Sequence, residues 1–146
     1  MKLLALPLLC LTLCVLPLGA AGLAAALAEP DLEKRSEKAT QAAAEAFTAA
    51  KKLFREGDKP GEGAMLTEIR EAVNLASKSL EDSHKDARRS PKYFKKAEIA
   101  LRKLLRDLDD LRIAKSVDDR KRVEDLIAVV IEAHDKVLLG IMTKKK

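Results

Sequence analysis

The chain has 146 residues, of which 47% are hydrophobic and 35% charged, and a formal net charge of +5. With one Tyr, three Phe and no Trp it cannot build the base-stacking platforms of a single-strand binder, so no nucleic-acid partner is expected. Both cysteines, Cys10 and Cys14, lie in the apolar N-terminal run, which bears directly on the chemistry left to the rest.

Met1 and Lys2 precede an uncharged, mostly apolar stretch from Leu3 to Ala28. A single cation, a leucine-rich middle and the small-residue end Ala26-Leu27-Ala28 match the three regions of a secretory signal peptide, with cleavage expected before Glu29. Export to a periplasmic or extracellular location follows. The alternative is an N-terminal membrane anchor, because the stretch exceeds the roughly 20 residues that a spanning helix needs. Pro7, Pro17, Gly19 and Gly22 make it a poor single helix. Removal of residues 1–28 leaves a cysteine-free domain, 29–146, with no disulfide, thiolate nucleophile or cysteine metal site. Its stability must come from a core, and its length suits one domain.

Beyond Glu29, Pro and Gly occur only at Pro30, within Gly57–Gly63, at Pro91 and at Gly140. Four helices fit between these breakers, at about 31–56, 62–88, 91–115 and 117–139, and no window alternates apolar and polar residues over strand length. The first carries a small-residue stripe, Ala39, Ala43, Ala46, Ala50 and Leu53, flanked by Phe47 and Phe54. The second repeats the spacing with Leu66, Ile69, Val73, Ala76 and Leu80. Ser90-Pro91 supplies an N-cap and a first-turn proline for the third, whose stripe is Phe94, Ala97, Leu101, Leu104, Leu108 and Leu111, widened by Ile99 and Leu105. In the fourth, Asp118 and Asp119 fall in the first turn, the stripe runs Val123, Ile127, Val130, His134, Val137 and Ile141, and Gly140 is the expected left-handed stop.

Opposite charges four apart, Glu81 with Lys85, Glu98 with Arg102, Asp118 with Arg122 and Glu132 with Lys136, support single helices. Helices of similar length on short connections predict an all-α, single up-down-up-down four-helix bundle following the signal peptide. A stack of helical hairpins is the competing architecture, but no self-similarity at about 34 residues follows "AAKKLFREGDK".

Alternating direction gathers the second connection and the C-terminus at one end. That end collects Lys85, Arg88, Arg89, Lys92, Lys95, Lys96, Lys144, Lys145 and Lys146 as a candidate contact for an anionic envelope component or an acidic protein. The plainer alternative is that these cations complement helix dipoles and keep the domain soluble. An anchored form would turn this same end to the bilayer. Self-association is a further option, through a side stripe of Phe47, Phe54, Ile99 or Leu75.

His134, on an otherwise aliphatic stripe, admits three explanations. It is a satisfied core-edge histidine; or a metal or haem ligand with His84 and Glu81, which form a Glu-x-x-His step; or a seam that loosens when the imidazole takes a proton. The first is the expectation, so no cofactor is assigned. Catalysis is not expected either. The serines lie in caps or on polar faces, the run "GDKPGEG" lacks the GKS/T ending and preceding strand of a nucleotide loop, and is taken as a connection, and the paired carboxylates Asp109-Asp110 and Asp118-Asp119 have no cleft. The sequence thus points to an exported, non-catalytic helical protein with a binding or structural role, and a small metal- or haem-binding bundle around His134 as the alternative.

Overall fold

The computed structural model describes residues 20–143, which are all-helical, with no strand among them. Five α-helices are present rather than the expected four: α1 (Ala20–Ala28), α2 (Leu32–Glu56), α3 (Lys59–Asp82), α4 (Pro91–Ala114) and α5 (Lys121–Met142), with a single 3-10 turn at Val117–Asp119. The additional helix, α1, lies inside the segment read as the end of a signal peptide.

Local chemistry sets the ends. Asp31 caps α2, its carboxylate accepting the Lys34 N–H at 3.0 Å. Gly57 closes α2 at φ 76°, with its N–H on the Phe54 carbonyl and the Asp58 N–H on the Leu53 carbonyl, the paired closure that a left-handed residue permits. The "GDKPGEG" run is therefore mostly helix: Asp58 accepts the Gly61 N–H at 2.9 Å, Pro60 sits in the first turn, and α3 begins three residues before the expected Glu62.

At its other end α3 stops at Asp82, six residues short of the expected boundary. His84 takes φ 52°, and Asp86 gathers the chain by accepting the Arg88 N–H on its carboxylate and the Arg89 and Ser90 N–H groups on its carbonyl. Gly140 does not end α5. It sits within the helix, facing Phe94 and Ala87, where a methyl group would find ordinary contact at 3.7 Å and 3.9 Å.

The four long helices alternate in direction. Glu33 and Glu37 near the start of α2 meet Lys85, just ahead of α4, and Lys96 in its second turn, whereas Lys59 at the start of α3 meets Asp119 just ahead of α5. Each of α2 and α5 packs against both α3 and α4, while α3 and α4 touch only slightly. The segment 83–90 therefore crosses a diagonal, which is why it needs eight residues where Gly57-Asp58 suffices for the α2–α3 turn. The closest pair is α2 with α3, because α2 offers Ala39, Ala42, Ala43, Ala46 and Ala50 to it. Ile69, Val73, Leu101, Leu108, Val123, Leu126 and Val130 fill the centre.

All six expected stripe residues of α4 are buried, but Ile99 is 56% exposed and does not widen the stripe. In α5 the buried line is Val123, Leu126, Val130, Ala133 and Val137. Ile127 and Ile141 are only partly buried and His134 lies at the margin, so the stripe is rotated by one position from the expected one.

Helix α1 folds back along the α2–α3 face. Ala26 is fully buried against Ala39 and Ala76, Leu23 packs on the main core, and Gly22 comes so close that a Cβ would stand 3.3 Å from that of Ala42. Among the described residues no helix is long and apolar enough to cross a membrane.

Candidate functional site: the basic end

The cations expected at one end do converge there, but not all remain available. Lys85 reaches back to the buried carboxylate of Glu33, and this hydrogen bond raises its ammonium above the usual lysine value. Lys96 pairs with Glu37. Arg88, Arg89, Lys92 and Lys95 are exposed and, among the described residues, have no carboxylate partner. Lys92 and Lys96 bracket the Tyr93 ring at 5.1 Å and 5.6 Å from its centre, which restrains the start of α4. Lys144, Lys145 and Lys146 lie outside the described residues.

Beside these cations opens a cleft of about 360 Å³, walled by Leu80 and Ser77 of α3, Ala87, Phe94, and Val137, Leu139 and Gly140 of α5. Its rim carries Glu81 and Asp86 against Lys85 and Lys136. Lys136 is held by Glu132 at 2.8 Å, which raises its ammonium above the usual value and lowers the Glu132 carboxyl. The expected Glu81–Lys85 pair is thus replaced by Lys85–Glu33. Arg122, expected on Asp118, instead lies against the bare backbone at Gly63. Glu98–Arg102 and Glu132–Lys136 form as expected.

His134 is satisfied across the bundle: its Nε2 lies 3.1 Å from Glu98 Oε1, and its Nδ1 lies 3.6 Å from Asp135 Oδ1. Glu98 also meets Arg102, so the imidazole sits at the edge of a small charged cluster. His84 is exposed on the α3–α4 connection, and Glu81 is exposed in the last turn of α3. Among the described residues no group of three or more His, Cys, Asp or Glu is placed to hold a metal ion, so Glu81, His84 and His134 are not assembled into one. The proposed self-association stripe is also not presented, since Phe47 is buried, Phe54 and Leu75 are partly buried, and only Ile99 is open.

Sequence reasoning missed the buried pair at the opposite end. Lys115 Nζ lies 2.5 Å from Glu62 Oε1 with both side chains 6% exposed, and 4.5 Å over the Phe54 ring. A signal existed. Glu62 extends the Leu66, Ile69, Val73 stripe by one turn, and Lys115 extends Leu108 and Leu111 in the same way, so helical spacing already placed both on buried faces. Nearby, Lys59 and Ser116 hydrogen-bond Asp119 and hold its carboxyl below the usual range. A groove of about 700 Å³ beside this pair is lined by Phe54, Pro60, Leu66 and Arg122.

Compared with known proteins, the chain matches no family model, no curated protein and no solved structure.

Proposed function

We propose that this is an exported, non-catalytic protein of the cell envelope, working as a bundle of its four long helices, whose basic end docks on an anionic surface. The observation that carries it is a local excess of cations. Arg88, Arg89, Lys92 and Lys95 stand exposed on one connection and the two turns that follow it, with no carboxylate partner among the described residues and with Lys85 and Lys96 beside them. Each such cation near an anionic membrane contributes on the order of 1 kcal/mol. Export is supported by the three-part apolar leader ending at Ala26-Leu27-Ala28.

Co-sedimentation with vesicles of phosphatidylglycerol and phosphatidylcholine, against vesicles of phosphatidylcholine alone, tests the docking. Binding that needs the anionic lipid and weakens with salt supports it, since screening acts on exposed charges. Equal binding to both vesicle types, or none, would contradict it. Expression in a bacterial host with mass determination of the recovered chain tests the leader: a product beginning at Glu29 supports cleavage, and an intact membrane-bound chain supports the anchored form.

A further inference from the structure

We infer that the cleft beside the basic end accepts one hydrocarbon chain of an anionic lipid drawn from the surface on which that end docks. The assignment rests on the docking proposed above and adds a ligand class to it.

Three features converge. The walls are hydrocarbon: Leu80, Ala87, Phe94 and Val137 form them, and Gly140 leaves a methyl-sized space against Phe94. The volume of about 360 Å³ falls within the range of small-molecule sites. Second, an apolar side chain is left in the open at the mouth. Leu139, which lines the cleft, is 58% exposed, and Met142 in the same last turn of α5 is 69% exposed. Exposed apolar residues beside unpaired cations are the make-up of a surface that enters a lipid interface.

Third, the charges decide which part of the lipid goes where. Lys85 and Lys136 at the rim are already tied to Glu33 and Glu132, while Glu81 and Asp86 present carboxylates to the opening. A phosphate is therefore repelled from the cleft itself. It is accommodated outside, on Arg88 and Arg89, which the turn held by Asp86 carries directly after the lining residues Asp86 and Ala87, with Lys92 and Lys95 following in the first two turns of α4. Head on the cations and chain in the cleft is the arrangement that satisfies both sets of residues.

The test uses the full chain and dodecyl phosphate below its micelle concentration, with inorganic phosphate and dodecyl maltoside as probes lacking the tail or the charge. The expected result is saturable binding of dodecyl phosphate at one per chain, with NMR contacts from its chain to the Leu80 and Val137 methyls and none to Leu66. Ser77→Phe, which fills the cleft, should weaken this at least tenfold while leaving binding to phosphatidylglycerol vesicles in place. The NMR contacts need no substitution, so they decide the matter even where Ser77→Phe does not fold. Vesicle docking without saturable dodecyl phosphate binding, or contacts at Leu66 instead, would overturn the cleft assignment alone. Absence of salt-sensitive vesicle docking would overturn the docking beneath it.

Discussion

The two ends of the bundle differ in what stands around their cations. Where α2 runs into α3 and α4 into α5, Lys59 is paired with Asp119 and Lys115 with Glu62 over the Phe54 face, and Lys51, Arg55, Arg120 and Arg122, which have no carboxylate partner among the described residues, share that end with Glu56, Asp58, Asp118 and Glu124. Where α3 runs into α4, Lys85 and Lys96 are consumed by Glu33 and Glu37, but four further cations are not. A net charge of +5 does not reveal this. Availability depends on which carboxylates the fold brings opposite, and at the diagonal 83–90 crossing it brings too few.

The largest effect that would sharpen the contrast is at the paired end. Lys115→Ala leaves the Glu62 carboxylate buried without a cation, and loss of one partner of such a pair costs about 3–5 kcal/mol. Urea unfolding should show it, and a Lys115→Met, Glu62→Met double variant should recover most of the loss. Arg88→Ala at the basic end should change stability by less than about 0.5 kcal/mol, because the Arg88 side chain is exposed and has no carboxylate partner among the described residues. Equal costs at the two ends would erase the distinction.

A smaller gain is expected from Gly140→Ala. The residue is inside α5, and a methyl group would meet Phe94 and Ala87 at ordinary contact distance, so helix propensity should stabilise the fold by about 1 kcal/mol. A loss instead would mean that the cleft wall cannot take even one carbon.

Smaller still is a dependence on pH away from both ends. Burial raises the Glu68 carboxyl above its usual value, helped by Glu71 and Glu45, and its Oε1 has no hydrogen-bond partner. A carboxyl raised in the folded state binds more protons folded than unfolded, so its contribution to stability falls as pH rises through that window. Glu68→Gln should therefore melt higher than the parent at pH 7, with the difference shrinking as the pH falls through the raised value and its pH-dependent part gone below the ordinary carboxylate value of about 4.3. A difference that grows on acidification would reverse the sign and refute it.

Much of the architecture was legible because apolar spacing is a local signal. The α4 stripe from Phe94 to Leu111 could be read residue by residue, and Ser90-Pro91 marked its start correctly, although the Ser90 hydroxyl makes no cap bond and instead lies 3.5 Å from Glu33. Boundaries failed where side chains compete with the backbone. Asp58 and Pro60 start a helix across a glycine-rich run, and Asp86 turns the chain where helical residues continue in the sequence. The α5 stripe was misjudged because Leu126 and Ile127, and Ala133 and His134, are adjacent choices that only packing against α3 and α4 settles.

Partnerships over long separations were the least legible. Lys85 bonds Glu33 rather than the nearby Glu81, and His134 finds Glu98, because the tertiary fold creates those neighbours. The N-terminal segment taught the same lesson. Because α1 turns back along α2, the chain at Gly22 lies level with Ala42 rather than beyond the basic end.

The most direct test compares charge reversal at the two ends on phosphatidylglycerol vesicles. With about 1 kcal/mol per cation, Arg88→Glu with Arg89→Glu should weaken binding by at least about thirtyfold, since two cations are lost and two repelled carboxylates gained. Lys51→Glu with Arg55→Glu, two exposed cations on the last turns of α2 at the paired end, should change it only slightly. Equal losses from both double variants would show that binding follows overall charge, and would contradict a basic end built for contact.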